Sequence, residues 1–466
     1  MSDQSNERRG RFFAAGLMLL VLLCAGIRVC FWQIYQPQTA GDTGTYLQLA
    51  SEIGSLDFSG YQGRRTPIYP LLLVIAQMNY TMVWLIQSLL GIGISVLLYI
   101  LVLQLVPSVG LAFALALFHS LTLNQLFYEA NVLTETLATL LLVASVLLML
   151  RANRVPGGVG LAALVGLCMA ATVLTRPNFI YLGPLYGLVL LVAAWSGDKR
   201  RLLAFVAAFA LPIFGWMLFN KATIGYFGLT TQIGMSLAQH SGKFMDKAPD
   251  EYATLRDIYM KRRAQMPPDA DRMNIWDAVP DMLEKSRLSF VELNRQLTKL
   301  SVQLIASHPG LYLRSVSGAW YSFWAVPNNW NPDDIRGPGT RRALESIWSV
   351  EQLLLRAMNL VLVVLAPCLA LHALSRRFTD QRENKYLLLA AVVLASSIVQ
   401  ALLEATDNGR YSMPTQPLVV VFVVALGYQF LQERLGARRS TVPRQRDLPS
   451  VESNKYKLDH TAGRMK

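Results

Sequence analysis

Long apolar runs are the feature that most constrains the fold of this chain. Leucine-rich stretches of about 17–25 residues recur along the sequence, and each is long enough to cross a bilayer as a helix. Lipid cannot hydrogen-bond free backbone amides and carbonyls, so spans of this kind are helical. Hydrophobic residues make up 53% of the 466 positions, which is too many for an ordinary soluble domain. We therefore predict an all-α polytopic membrane protein.

Basic residues cluster just outside these runs, which explains the net charge of +13. Such clustering is typical of cytoplasmic loops, and we expect no nucleic-acid partner. It predicts cytoplasmic N- and C-termini. The first run has no small-x-small cleavage site and is interpreted as a retained anchor. About ten spans are predicted, at residues 12–32, 81–106, 111–127, 132–150, 158–174, 179–196, 202–220, 348–374, 386–404 and 413–431.

The predicted spans leave two long segments on the outer face. The first, residues 33–80, lies within an N-terminal membrane region (1–220) and contains a short apolar segment, 68–78, that we place at the interface or as a re-entrant segment. The second is a large outer loop, with an interfacial helix predicted at 311–326. Long outer loops indicate a function on that face. The chain is thus predicted to have four parts: the N-terminal membrane region 1–220, the outer loop 221–347, a C-terminal membrane region 348–435 and a basic cytoplasmic tail 436–466.

Three carboxylates stand at the outer ends of predicted elements. A short amphipathic helix is predicted to begin near Thr43, so Asp42 is either its N-cap or a carboxylate that activates a hydroxyl or binds a metal; the spacing favours the cap, and the two roles are compatible. Glu129 and Glu135 lie at the ends of the third and fourth spans. An acid inside a span is costly unless it is paired or hydrated, so Glu135 is a site candidate, with stabilisation of the helix dipole as the alternative.

Four arginines on the predicted outer face form a second group of candidates. Arg64 and Arg65 precede the short apolar segment, where they could bind a lipid phosphate or simply anchor the interface. Arg176 and Arg410 oppose the usual charge bias of membrane proteins, which makes them informative. For Arg410 the alternative role is an ion pair with Glu404 or Asp407.

Several common catalytic signatures are absent from the sequence. There is no Gly-rich nucleotide loop, no His-Glu-x-x-His and no Gly-x-Ser-x-Gly. The four cysteines do not have the spacing of metal ligands. Matching broken spans, which would indicate an inverted-repeat transporter, are not apparent. Gly91 and Gly93 lie within a span, where small residues usually serve helix packing.

A set of short motifs, in order along the chain, resembles the GT-C glycosyltransferases. Within that superfamily the protein O-mannosyltransferase-like branch, which includes the aminoarabinose transferases of lipid A, is the most similar. The motifs are Asp42 with Tyr46, Arg-Arg-Thr-Pro-Ile-Tyr-Pro (64–70), Thr-Glu-Thr (134–136), Thr-Arg-Pro (175–177), His-Pro-Gly-Leu-Tyr-Leu (308–313) and Gly-Arg-Tyr-Ser-Met-Pro (409–414).

The resemblance implies transfer of a sugar from a polyprenyl-phosphate carrier to a glycolipid, glycan or protein acceptor, in contact with membrane lipid. It implies a periplasmic site on a bacterial inner membrane, with Asp42 as the catalytic carboxylate and Glu135 as a second acidic residue. In that family a basic residue before the re-entrant proline binds the phosphate. Here Thr66 directly precedes Pro67, so the role would pass to either Arg64 or Arg65, which lie a little earlier. The implied substrate-binding residues are Tyr46, Arg64, Arg65, Tyr69, Glu129, Arg176, His308, Arg410 and Tyr411.

Three questions stay open at this stage. Family members often carry a second acid beside the first, and Thr43 stands there in this chain, so no cofactor is certain and a divalent cation is one alternative. A ligase or polymerase moving a whole glycan, or a lipid or solute transporter, are the alternative functions. We also expect Arg65→Ala or Arg410→Ala to weaken donor binding more than folding.

Overall fold

The computed structural model describes residues 2–152, 158–194, 199–266, 275–326 and 330–440, with side chains from residue 13 to 191 and from 199 to 435 within these ranges. The described residues form nineteen α-helices and no β-strand. The helices are α1 (Ser2–Ile34), α2 (Thr43–Ser55), α3 (Ile68–Ile75), α4 (Tyr80–Leu105), α5 (Val109–Leu121), α6 (Leu123–Ala130), α7 (Glu135–Ala152), α8 (Val159–Thr175), α9 (Leu182–Ala194), α10 (Lys199–Ile224), α11 (Ile233–Ser241), α12 (Ala253–Arg263), α13 (Val279–Ser286), α14 (Phe290–Ser307), α15 (Pro309–Phe323), α16 (Pro338–Ser375), α17 (Gln381–Leu403), α18 (Asn408–Tyr411) and α19 (Gln416–Ser440).

Seven helical segments are long and apolar enough to cross a membrane: α1, α4, α7, α10, α16, α17 and the segment that runs from α18 into α19. The bent pair of α5 and α6 makes an eighth if it is one span. Val159–Thr175 and Pro177–Leu191 are shorter apolar helices. The all-α membrane architecture is confirmed, and seven or eight of the ten predicted spans meet the length expected of a membrane helix.

The third predicted span, residues 111–127, is not one straight helix. Helices α5 and α6 meet at an angle of 50°, because the backbone of Thr122 between them is extended (φ −61°, ψ 126°). The amides that open α6 would be costly to leave unpaired in an apolar bundle. The carboxylate of Glu351 in α16 accepts them, from Leu123 at 2.7 Å and from Asn124 at 3.1 Å. A distant acid therefore stabilises the bend.

Two glycines allow close contacts inside the bundle. A Cβ at Gly166 of α8 would lie 2.6 Å from the carbonyl oxygen of Phe205 in α10. A Cβ at Gly91 of α4 would lie 1.8 Å from an oxygen of Glu129, whose carboxylate is paired with Arg28 of α1 at 2.6 Å. Both members of this ion pair are buried. The expected packing role of Gly91 is confirmed, and its neighbour is an ion pair.

The two segments predicted to lie on the outer face carry their own helices. Helix α2 begins at Thr43, as predicted, and α3 is an eight-residue helix that is too short to cross a bilayer. Helices α11 to α14 share a buried apolar core that includes Met235, Leu255, Met282, Leu293 and Leu297. We call α11 to α14 the outer helical unit.

Helix α15 corresponds to the predicted interfacial helix and packs along α17. The Tyr312 hydroxyl donates to the Leu402 carbonyl at 2.8 Å, and the Trp320 indole donates to the Ser397 hydroxyl at 3.0 Å. The described residues up to Ala425 form one compact unit, and the described residues after it, 426–440, belong to α19. The part of the predicted tail beyond residue 440 lies outside the described residues.

Candidate active site

The first outer segment is tied to the turn between α6 and α7. Gln38 and Asn131 form a parallel bridge, and the Thr43 hydroxyl donates to the carbonyl of Val132 at 3.0 Å. These bonds hold the start of α2 beside the start of α7. Because Asp42 precedes the first of these helices and Glu135 opens the second, the backbone brings the two predicted acids to one place.

Asp42 occupies the N-cap position of α2, but its side chain makes no capping hydrogen bond. One carboxylate oxygen instead accepts from Arg65 at 2.5 Å, and the other accepts from Arg410 at 2.8 Å. The interpretation of this side chain as a helix cap is therefore wrong. Its carboxylate is held by two guanidinium groups from chain positions that are far apart.

Glu135 continues this chain of charges into the bundle. Its fully buried carboxylate accepts a hydrogen bond from Nε of Arg410, and the same oxygen lies 3.3 Å from Nη1 of Arg176. Arg65, Asp42, Arg410, Glu135 and Arg176 thus alternate in sign along one network of three cations and two anions. Buried charges are tolerated when they are paired in this way. Each of these five residues comes from a different one of the sequence motifs listed above.

Aromatic rings support two of the guanidinium groups. Arg65 lies over the ring of Tyr46 at 4.4 Å from its centroid, and Arg176 lies over Tyr411 at 4.3 Å. Such cation–π contacts fix the plane of the guanidinium. Tyr69 is fully buried behind Tyr46, with ring centroids 5.2 Å apart. Tyr46 and Tyr411 line the cavity described below. Tyr69, which was predicted to bind substrate, does not line it and instead packs against the ring of Tyr46.

Arg64 differs from the other three arginines. Its guanidinium carbon lies 4.7 Å from the ring centroid of Phe290 and 5.9 Å from that of Trp276, both in or beside the outer helical unit. Among the residues that the structure describes, none places a carboxylate oxygen within 4 Å of it. Burial and the neighbouring Arg65 lower the pKa of this guanidinium, while Asp42 raises it. Arg64 therefore has hydrogen-bond donors to offer to a ligand.

These residues surround an open cavity. Its empty volume is about 930 Å³ with the solvent at its mouth included, and an adjoining part reaches Arg176 and Asn178. That size suits a small polar group such as a sugar phosphate. The residues common to both parts are Asp42, Arg64, Arg65, Gln232, Glu404, Arg410 and Tyr411.

The arginines keep Asp42 ionised. Burial raises the pKa of its carboxyl, but Arg65 and Arg410 lower it further, so the pKa lies well below the usual range. Burial lowers the pKa of Arg65, and Tyr46 and Asp42 raise it by more. At neutral pH the Asp42–Arg65 pair is therefore a carboxylate and a guanidinium.

The same geometry bears on a divalent cation. Among the residues that the structure describes, no group of three or more His, Cys, Asp or Glu side chains is arranged to hold a metal ion. Both oxygens of Asp42 already accept from guanidinium groups. A cation at Asp42 would meet two arginines at close range. The donor set around this acid therefore does not fit a divalent cation.

Two predicted site residues lie elsewhere. Glu129 pairs with Arg28 and also accepts from Gln125 at 2.9 Å, which uses its carboxylate inside the bundle. His308 joins α14 to α15, and its ring lies 6.2 Å from that of Phe244, between centroids. Neither residue lines the cavity. A correction follows for both: they contribute to packing between helices.

Sequence reasoning missed three residues that matter here. Arg28 was a lone cation within the first apolar run, a pattern that indicates a buried partner. Glu404 was considered only as a partner of Arg410, but it lines the cavity and is paired otherwise. Trp276 gave no signal in the sequence, because its place beside Arg64 depends on how the outer helical unit folds.

No family model matches this sequence, and no curated protein matches it. Similar solved structures are those of the archaeal oligosaccharyltransferase AglB from Archaeoglobus fulgidus. Its complex with an inhibitory peptide and a dolichol-phosphate is 14% identical, with a TM-score of 0.48, over 94% of this chain and 52% of that chain. Its form tethered to an acceptor peptide is 14% identical, with a TM-score of 0.48, over 92% and 50%. This chain spans about half the length of these structures.

Proposed function

We propose that this chain is a GT-C-like glycosyltransferase that moves a sugar from a polyprenyl phosphate to an acceptor. The observation that carries the proposal is the convergence of separate motifs. Asp42, the arginine pair, Arg176 and Arg410 line one cavity, although up to 368 residues separate them along the chain. Glu135 is buried beside that cavity and is paired with Arg410. Structural ion pairs alone would not require an open cavity around them.

The charges at the cavity suit a phosphate-linked sugar. Such a donor carries a good leaving group, so no acid is needed to protonate it. Arg64 offers guanidinium donors that no carboxylate occupies, and guanidinium binds phosphate with two parallel hydrogen bonds. Asp42 stays ionised beside them and can orient or activate a hydroxyl of the acceptor. Positive charge for the departing phosphate and negative charge for the nucleophile thus lie in one cavity.

The proposal includes a place in the cell and a class of acceptor. We assign the chain to a bacterial inner membrane with both termini cytoplasmic and the cavity on the periplasmic side. The donor is a polyprenyl-phosphate sugar, and its apolar tail lies in lipid between the helices. The acceptor is a glycolipid, glycan or protein that approaches from the outer helical unit.

The test compares purified wild-type protein with Asp42→Asn, given a radiolabelled polyprenyl-phosphate sugar and candidate acceptors. Since this change removes the charge and keeps the shape, transfer should fall by about 100-fold or more, with donor binding retained. Asp57→Asn, at an exposed acid of the same outer segment, is the matched control and should transfer at the wild-type rate.

Other outcomes would favour the alternative functions. A transporter would move label across a vesicle membrane without releasing polyprenyl phosphate. A ligase or polymerase would use a carrier that bears a whole glycan in preference to one that bears a single sugar. Normal transfer by Asp42→Asn would remove that residue from the mechanism.

A further inference from the structure

Three of the four carboxylates at or next to the cavity are bound to arginine. Asp42 and Glu135 belong to the network described above, and Asp407 lies 3.6 Å from Arg410. Glu404 is the exception: no Lys or Arg nitrogen of the described residues lies within 4 Å of its carboxylate. It lines both parts of the cavity together with Asp42. Glu404 therefore differs from the other three carboxylates in having no positively charged partner among the described residues.

Glu404 is held by neutral groups alone. One oxygen accepts from the Ser236 hydroxyl at 2.9 Å, and the other accepts from the Gln400 amide at 3.0 Å. The side-chain amide of Asn178 donates to Oε1 of Gln400 at 3.0 Å. This hydrogen bond fixes the side-chain amide of Gln400 with its nitrogen towards Glu404. A carboxylate can accept about four hydrogen bonds, so this one has acceptor positions left. It is fixed in place and available.

Asp42, in contrast to Glu404, is a weak proton acceptor because its partners are positively charged. Both of its oxygens are engaged by guanidinium groups, and its pKa is held well below the usual range. Proton transfer becomes less favourable as the pKa of the base falls. A carboxylate in this state orients a hydroxyl and stabilises positive charge, but it gains little by taking the proton.

We infer that Glu404 is the general base of the reaction and that Asp42 orients the acceptor. This inference rests on the proposed function. In the step, the acceptor oxygen forms a bond to the anomeric carbon while the bond from that carbon to the phosphate oxygen breaks. The hydroxyl proton passes to Glu404, and the electron pair of the broken bond leaves with the polyprenyl phosphate. The proton then leaves Glu404 for solvent at the mouth of the cavity.

The test uses the full chain with a radiolabelled polyprenyl-phosphate sugar. Glu404→Gln should lower the turnover number by about 100-fold, with donor affinity unchanged, because general base catalysis contributes that much or more. Glu404→Ala should be equally slow and should regain transfer when formate is added, since formate can act as the missing carboxylate. The matched control is Glu292→Gln on α14, away from the cavity, which should transfer like the wild type.

The outcomes separate the two proposals. Wild-type turnover in Glu404→Gln, or no response of Glu404→Ala to formate while its melting temperature and donor affinity match the wild type, would overturn the role of Glu404 and leave the transferase intact. A slow variant that also loses donor affinity would assign Glu404 to binding and overturn its role as base. If the wild type releases no polyprenyl phosphate, the proposed function fails and this inference fails with it.

Discussion

Adjacent arginines at the cavity have different partners, and this decides what each can do. Arg65 donates to Asp42 and to the Thr45 hydroxyl at 2.7 Å, and it lies over Tyr46. Arg64 has aromatic neighbours and no carboxylate partner among the described residues. A guanidinium already bound to a carboxylate must break that pair to bind phosphate, whereas an unpaired one need not. Arg64 is therefore the residue we assign to the phosphate of the donor.

The first prediction at the residue scale concerns Arg64→Ala. Donor affinity should fall about 10- to 100-fold, since hydrogen bonds to charged groups contribute about 1.5–3 kcal/mol. The protein should still fold, because no buried carboxylate loses its partner. The measurement is binding of labelled donor in detergent. Arg262→Ala, an exposed arginine of α12, is the control and should bind like the wild type.

Arg410→Ala should behave differently in the same assay. It leaves Asp42 without one guanidinium and Glu135 with only Arg176, inside a buried network. Breaking a buried pair costs about 3–5 kcal/mol. The structure thus reverses our sequence-based expectation for Arg410, because its loss should harm folding at least as much as donor binding. Equal stability of the two variants would contradict this distinction.

At the element scale, the close contact of α4 with the Arg28–Glu129 pair leads to a further prediction. Gly91→Ala should destabilise the protein by about 3–5 kcal/mol, because its Cβ would displace the Glu129 carboxylate from its buried partner. Gly93→Ala, two residues along the same helix, is the matched control. Its Cβ would lie 3.2 Å from a methyl group of Leu140, which can move. Thermal unfolding in detergent should separate the two, and similar midpoints would contradict the prediction.

The sequence predicted those helices whose ends depend on neighbouring residues, and it did not predict the bend that depends on a distant residue. The start of α2 at Thr43 and the short length of α3 agree with the apolar spacing and the Pro67 boundary. The bend between α5 and α6 could not be derived in this way. It depends on Glu351, which lies 228 residues beyond the amide that it accepts. No periodicity within the third apolar run reports that contact.

At the scale of the whole molecule, the sequence supplied the members of the site but not their pairing. The motifs identified Asp42, Glu135, Arg176 and Arg410 because each stood at the outer end of a predicted element. Which carboxylate met which guanidinium was fixed by the packing of α2, α7 and α18. Position at the end of a span does not by itself distinguish Glu129 from Glu135. The two acids differ in which partner faces them across the bundle.

The last prediction concerns the number of crossings between the first outer segment and the loop after α16. The elements between them are α4, the bent pair, α7, α8, the Pro177–Leu191 segment, α10 and α16. The two short apolar helices change the parity only if one crosses without the other. If the bent pair is one span, the number of crossings is odd both when the two short helices cross and when neither does. The first outer segment and the loop after α16 then lie on opposite faces of the membrane.

Single cysteines at Ser59 and Thr379, both exposed, test this parity. In a background without the native cysteines, a membrane-impermeant maleimide added to intact cells should label Ser59→Cys. Thr379→Cys should react only after permeabilisation, since Arg376 and Arg377 favour the cytoplasmic side. Labelling of both from outside would mean that the bent pair, or one short helix, fails to cross. Protection of Ser59→Cys would place Asp42 in the cytoplasm and remove the basis for an outer-face transferase.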